Sequence, residues 1–385
     1  MIDELQLRYP EAMIYVQRAI GQFKNFPVNQ HVNILPTFPA GGKRRAIQER
    51  ISYLTNGKIN LTDAAKQFYK VLFSADIVIH APGGPSIGDI YLKQEVLKLR
   101  RLMIVKKSCV PYVFFAPSMG PFENKKRNKK RKIILENAAL ISLREEISKQ
   151  YVDNFVPEKN AIVTLDSAFQ HTIDAEKNEF IFQKDIELKE FVGDGSRVVG
   201  MTITDLQWNP LYQGDDRTAK KIRDVFTQFV KFLVDRKYRV LFIPQLFDNA
   251  NDYDYMNSYA VENCCVMKDT YDCYFQQYII SKLKAVVGMR YHSNIFSAKM
   301  GTPFVSISYE QKMSGFMEKA ELKDYCIEMK DLSFQILKDK FEKLEATYYK
   351  YQNELKMKAN VFKAESIKTT ELVCNIIERN SQKRQ

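Results

Sequence analysis

Residues 283–308 read LKAVVG-MRYHSN-IFSAKMGT-PFVSIS. Two short apolar runs, each bounded by turn-forming residues, flank a segment in which an apolar helix begins at Ile295, the order of a strand, a helix and a parallel strand. The same alternation extends outward. Upstream lie the runs Arg197–Ile203 (RVVGMTI) and Tyr238–Pro244 (YRVLFIP), with an amphipathic helix over Thr218–Arg236 between them; downstream, from Asp331, the chain reads as a charged pair of amphipathic helices. Further upstream, Ala12–Val16, Val32–Leu35, Ile77–His80, Tyr112–Ala116, Ala139–Leu143 and Ala161–Leu165 read as short strands. Leu61–Ser74 and Asp89–Lys106 repeat apolar residues at helical spacing. Strands separated by helices imply parallel α/β sheets. The pattern stops over the polar, acidic stretch Thr172–Ser196 and then restarts. The expectation is therefore two Rossmann-like α/β domains facing a cleft: residues 1–172, a linker with one helix over 173–196, and residues 197–385 with C-terminal helices.

Composition narrows the class. The 385 residues are 45% hydrophobic and 12% aromatic, enough to fill two cores. No run approaches the roughly 18 apolar residues of a membrane-spanning helix. The opening MIDELQLRYPEAM has no basic segment followed by an apolar one. Six dispersed cysteines and four histidines, with no C-x-x-C pair, point away from a disulfide framework or a zinc site. A reducing, cytoplasmic location is expected. Lys and Arg number 58 against 46 Asp and Glu, for a net charge of +12. Much of that excess is one block, Lys125-Lys126-Arg127-Asn128-Lys129-Lys130-Arg131-Lys132. Such a block is either a solvated helix start or a patch for anionic lipid at the inner membrane face. Nucleic acid is not expected, because no recognition motif accompanies it.

Open parallel sheets bind ligands beyond the carboxyl ends of their strands, so the residues that follow each strand are the candidates. After IVIH comes Ala81-Pro82-Gly83-Gly84-Pro85, a turn at which backbone amides can approach an anion. It lacks both the phosphate-loop and the dinucleotide spacing, and a plain tight turn is equally compatible. Pro117-Ser118-Met119-Gly120-Pro121 is a second small-residue turn. Arg144, after ALISL, either holds an anion or pairs with the neighbouring Glu145 and Glu146. After LKAVVG, Arg290 offers a planar fork of donors and His292 an acid or base near neutral pH. If the backbone there is extended, the two residues point to one side. The alternative is that His292 caps the next helix and Arg290 makes a surface pair. Lys312 follows PFVSIS and can meet the same anion or stand exposed. His80 reads as a satisfied core residue, and His31 and His171 lack polar company. Phe247–Tyr259 reads as an irregular loop, with cation coordination by Asp248, Asp252 and Asp254 as the lesser alternative. Trp208 and Tyr212 read either as a stacking platform for a sugar or as packing.

Taken together, Gly288-Met289-Arg290-Tyr291-His292-Ser293, Gly301-Thr302-Pro303-Phe304-Val305, Ser308-Tyr309 and Lys312 resemble the C-terminal core of the polysaccharide pyruvyl transferases. The Gly83-Gly84 loop running to Asp89, Met119-Gly120-Pro121, Ser142-Leu143-Arg144-Glu145 with Ser148, and Asp166-Ser167-Ala168-Phe169 resemble that family's first half. The likeness spans about residues 75–330. It implies a GT-B-like fold, with the acceptor on the N-terminal side and phosphoenolpyruvate on the C-terminal side. It also implies transfer of a pyruvyl group from phosphoenolpyruvate to a sugar of a cell-surface polysaccharide or its lipid-linked precursor, forming a ketal. Phosphoenolpyruvate enters as co-substrate, and no cofactor or metal is implied. The resemblance makes His292 the catalytic residue. It makes Arg290, Arg144, Gly83, Gly84, Ser293 and Lys312 substrate-binding. Family members usually open with a strand and an Asn-x-Gly-Asp loop; here a helix stands first, so that strand is expected to be missing. The alternatives are a GT-B-like glycosyltransferase using a nucleotide sugar and a non-catalytic, glycan-binding member of the family.

Overall fold

A computed structural model describes residues 1–17, 29–39, 43–81, 83–84, 86–247, 251–259 and 261–382. The chain divides into two compact units, one formed by residues 1–167 with 365–385, the other by 168–364.

In the first unit the order is α1 (Ile2–Arg8), β1 (Ile14–Gln17), β2 (Val32–Leu35), α2 (Lys43–Leu54), α3 (Asp63–Ser74) and β3 (Val78–His80). It continues with α4 (Leu92–Ser108), β4 (Tyr112–Phe114), α5 (Lys125–Glu136), β5 (Leu140–Leu143), α6 (Glu146–Phe155) and β6 (Ile162–Val163). β1 pairs with β2 in parallel, and β3, β4, β5 and β6 lie side by side in chain order, all parallel. Successive residues of β4 and its extension go to opposite faces, as pleating requires. Tyr112 and Phe114 join Leu72 of α3, Leu99 of α4, Ile134 of α5 and Val152 of α6. Val113 and Phe115 join Leu5 of α1 and, from the far end of the chain, Val373, Ile376 and Ile377. Helices α3 to α6 therefore form one layer over the sheet, with α1 and the C-terminal turns on the other face.

The second unit comprises α7 (Ala175–Lys184), α8 (Ile186–Val192), β7 (Val198–Thr202), α9 (Asp216–Asp235), β8 (Arg239–Phe242), α10 (Asp252–Asn257), β9 (Cys264–Val266) and α11 (Cys273–Lys282). It goes on through β10 (Ala285–Gly288), α12 (Tyr291–Met300), β11 (Phe304–Ser308), α13 (Gln311–Lys319), β12 (Cys326–Glu328), α14 (Phe334–Ala346) and α15 (Tyr348–Gln382), whose last turns belong to the first unit. Its six strands are ordered β12-β11-β10-β7-β8-β9, all parallel. Every residue of β7, β10 and β11 is buried, because helices cover both faces of a parallel sheet. The chain leaves β7 toward β8 and β9, then returns to β10, β11 and β12 on the other side. The strand order thus reverses between β7 and β10.

Two boundaries differ from the sequence reading. Residues 173–196 are not a linker: α7 and α8 pack into the second unit through Phe182, Leu188 and Val192. The acidic, polar character of that stretch is its outer face. Gly195 closes it at φ +75°, where a Cβ would sit 1.6 Å from the Lys282 carbonyl oxygen. Residues 365–385 return to the first unit and do not complete the second. Among the described residues, the chain opens with α1 followed by the strand β1.

Candidate functional site

The carboxyl ends of β8, β7, β10 and β11, four adjacent strands, bring one cluster together. Gly288 ends β10 so close to α12 that a Cβ would meet Asn294 Oδ1 at 2.1 Å and Ser293 Oγ at 2.8 Å, so only glycine lets the helix start there. Arg290 is the N-cap residue of α12, with extended backbone. Its N–H donates to Thr202 Oγ1 at 3.2 Å. Thr202 Oγ1 lies 2.7 Å from Ser293 Oγ, and Ser293 Oγ donates to the Arg290 carbonyl at 2.7 Å. This closed ring of hydrogen bonds fixes the Arg290 backbone. The Ser293 hydroxyl, expected to bind substrate, is a buried member of this ring.

The Arg290 side chain is buried at 6% exposure. Its guanidinium binds Asp252 of α10 two-pronged, Nε to Oδ2 at 2.9 Å and Nη2 to Oδ1, and lies 4.7 Å from the centre of the Trp208 ring that follows β7. Burial pulls against the charge, but Asp252 and the Tyr309 hydroxyl outweigh it and hold Arg290 above its usual range. Burial raises the Tyr309 hydroxyl, so it is neutral. After β11, Lys312 is also buried and bridges to Glu310 at 2.7 Å, while Asn209 donates to the same carboxylate. Lys312 is therefore not an exposed lysine. Asp252 is itself anchored, accepting from the N–H groups of Gln245 and Leu246 at 3.0 and 2.9 Å. The stretch expected to be an irregular loop holds helix α10; Asp248 lies outside the described residues. Among the described residues no group of three His, Cys, Asp or Glu could hold a metal ion.

His292 is exposed, beside the rings of Tyr291 and Phe296. Arg290 and His292 do not follow the strand alternation expected of them, because α12 begins at Tyr291 and helical rotation replaces extended backbone. Nor does His292 cap the helix, since Arg290 occupies that position, and the Arg290 ion pair is buried rather than on the surface. Trp208 packs edge-on to Tyr309 and donates its Nε1–H to Thr204, so its described partners are protein groups.

Among helices α7 to α14 of the second unit, a contrast at the N-termini marks the same edge. Helices α7, α8, α9, α10, α11 and α14 each start with an Asp, Asn or Ser side chain accepting a backbone N–H. At α12 and α13 the N-cap residues, Arg290 and Glu310, make no such bond. Their side chains are engaged in the cluster instead.

In the first unit Arg144 is 1% exposed at the end of β5. It donates to Ser118 Oγ at 2.9 Å and to Asp166 Oδ2 at 2.7 Å. It therefore ties together the segments that follow β4, β5 and β6. Glu145 caps α6 by accepting from the Ser148 N–H, and burial raises its carboxyl pKa. Gly83 and Gly84 are half-buried, and the Gly83 carbonyl accepts from the Ser118 N–H at 3.4 Å; Pro82 and Pro85 lie outside the described residues. His80 packs on Phe114 at 5.2 Å. Burial, reinforced by Lys98 and Arg101, pushes its pKa down to about 3. His31 lies 2.9 Å from the Gln30 amide, and His171 packs on Tyr274.

The basic block forms the start of α5 and divides by residue type. Arg131 is fully buried, bound to Glu95 at 2.8 Å and Asp89 at 2.8 Å, and Arg127 binds Glu95 at 2.9 Å. These two arginines face inward and leave the expected surface patch. The five lysines remain exposed. Among the described residues, no helix is long and apolar enough to cross a membrane.

Comparison with known proteins agrees with this arrangement. The α,α-trehalose-phosphate synthase of Burkholderia vietnamiensis superposes with a TM-score of 0.56 at 8% identity, covering 97% of this chain and 96% of that one. A structure from Listeria monocytogenes described as a UDP-N-acetylglucosamine 2-epimerase gives 0.54 at 12% identity, covering 92% and 84%. At such identities the likeness concerns the fold, two Rossmann-like domains of the GT-B kind. The amylovoran biosynthesis protein AmsJ of Erwinia amylovora is 23% identical over 281 residues, 69% of this chain and 65% of that protein. The chain thus matches a little under two thirds of that relative's length. The sequence model of the polysaccharide pyruvyl transferases matches residues 21–311, well over half of the chain. The chain belongs to the polysaccharide pyruvyl transferase family.

Proposed function

We propose that this chain transfers a pyruvyl group from phosphoenolpyruvate to a sugar of a cell-surface polysaccharide or its lipid-linked precursor, forming a ketal. One observation carries the reading. Two buried cations stand at adjacent strand ends: Arg290, with the start of α12, follows β10, where the strand order reverses, and Lys312, with the start of α13, follows the neighbouring strand β11. Such a reversal is where open parallel sheets take their ligands. Phosphoenolpyruvate presents a phosphate and a carboxylate on three carbons, so it needs converging positive charge. The fork of Arg290, turned by Asp252 and backed by Trp208, supplies a planar cation. Lys312 supplies a point charge, and the positive ends of two helix dipoles add to both.

The reaction balances on these groups. The methylene carbon of phosphoenolpyruvate gains a proton and becomes the methyl group. One sugar hydroxyl oxygen bonds to the central carbon, the carbon–oxygen bond to phosphate breaks, and a second sugar hydroxyl closes the ketal. Of the two hydroxyl protons lost, one matches the proton gained by carbon and the other leaves with phosphate. His292, exposed in the first turn of α12, is assigned proton transfer or phosphate orientation. Arg144, paired with Asp166 in the first unit, is assigned anion binding on weaker grounds than Arg290.

The test is phosphate release from phosphoenolpyruvate across a panel of sugar and lipid-linked sugar acceptors. The expected result is acceptor-dependent release, with product heavier by one ketal-linked pyruvyl group, lost in His292→Ala. Thermal stabilisation by UDP-, GDP- or CMP-sugars alone, without phosphate release, would identify a glycosyltransferase and overturn the reading.

A further inference from the structure

We infer that the outer face of the helical layer α3–α4–α5 in the first unit docks on an anionic lipid surface, through lysines and a margin of exposed apolar side chains. The inference does not depend on the donor or on the reaction. α5 exposes Lys125, Lys126, Lys129, Lys130 and Lys132. At 100° per residue these span one continuous arc of the helix, while Arg127 and Arg131 occupy the opposite arc, on Glu95 and Asp89. The face is wider than the block visible in the sequence. α3 adds Lys66 and Lys70, and α4 adds Lys93, Arg100 and Lys106, all exposed. All three helices contribute to one core cluster on one side of the sheet, so their outer faces form a common surface. Against these cations the three helices expose the carboxylates of Asp63 and Glu136, 3.7 Å from Lys66 and Lys132 respectively.

Two observations select lipid over nucleic acid. On α5 both arginines, whose planar forks suit base edges and individual phosphates, face the protein interior, and the exposed Arg100 of α4 lies 3.9 Å from Glu49, while the flexible lysines, suited to a diffuse layer of head groups, face outward. At the α3 margin of the layer, Ile59 and Leu61 before the helix and Phe73 at its end are about half exposed, at 51%, 51% and 50%. Apolar side chains beside lysines can enter the boundary between head groups and acyl chains, but gain nothing from a phosphate backbone.

The experiment is co-sedimentation of the full chain with vesicles of phosphatidylglycerol and phosphatidylcholine, against phosphatidylcholine alone, at low and high salt. Binding is expected to the anionic vesicles only and to disappear at high salt. Each lysine near such a surface contributes about fivefold in partition. Lys125→Gln, Lys126→Gln, Lys129→Gln and Lys130→Gln together are therefore expected to weaken binding by roughly two to three orders of magnitude. The corresponding fourfold change to Arg is expected to retain it, with circular dichroism unchanged in both. Absence of vesicle binding by the parent chain, or undiminished binding by the Gln variant, would overturn the inference. Tighter binding to duplex DNA than to vesicles, abolished by the same Gln variant, would overturn it in favour of nucleic acid.

Discussion

In the proposed function Arg290 holds the donor; in the structure it neutralises a buried carboxylate, and a substitution affects both. Arg290→Ala leaves Asp252, 2% exposed, without its counter-ion. Breaking a buried pair from one side costs about 3–5 kcal/mol. The expected outcome in urea is a large loss of stability, partly restored in the double variant Arg290→Ala/Asp252→Ala. Arg290→Lys keeps a charge for Asp252 but gives up the two-pronged bond to it, so its donor affinity is read beside its own urea stability. His292 is exposed, so His292→Ala is expected to melt close to the parent while turnover falls by roughly 10²–10⁴. His292→Gln keeps a hydrogen bond without titration, so activity retained there would assign orientation and exclude proton transfer. The position of Arg290 and His292 after a strand was legible in the sequence. The partner of Arg290 was not: Asp252 lies 38 residues away, in a helix of six residues too short to show periodicity. The outward turn of His292 was hidden as well, because it depends on α12 starting at Tyr291, four residues before the apolar run at Ile295.

The last helix fastens the first unit by hydroxyls as well as by apolar surface. Thr369 Oγ1 lies 2.7 Å from Ser142 Oγ and 2.7 Å from Thr164 Oγ1, which are themselves 2.9 Å apart, all three fully or almost fully buried. Thr369→Val keeps the shape and removes one corner of this triangle, so a loss of about 1–3 kcal/mol is expected in urea unfolding. Removing residues 365–385 also strips Val373, Ile376 and Ile377 from their side of the sheet. That shortened chain is expected to aggregate, as judged by size-exclusion chromatography. The tail was legible as helix from its amphipathic pattern. Its destination was not, because such a pattern shows that a face is buried but not against which sheet. The same holds for α7 and α8, short helices whose acidic outer faces disguise the buried Phe182 and Leu188.

Across the whole molecule, the alternation of apolar strands and amphipathic helices was legible because parallel strands covered on both faces become nearly unbroken apolar runs. Edge strands escape that rule. β9 and β12, three residues each at the two margins of the second sheet, left no such run to read. The strand order was also invisible in the sequence, and it is the strand order that explains why Arg290 and Trp208 matter: they follow the two strands between which the order reverses. Equilibrium binding of phosphoenolpyruvate to the full chain by titration calorimetry tests that assignment most directly. Binding is expected for the parent and, with the fold intact, about ten- to a hundredfold weaker for Arg290→Lys, the loss of a charge-assisted fork. Undiminished phosphoenolpyruvate binding by a folded Arg290→Lys protein, or no heat with phosphoenolpyruvate in a parent chain that binds a nucleotide sugar, would contradict it.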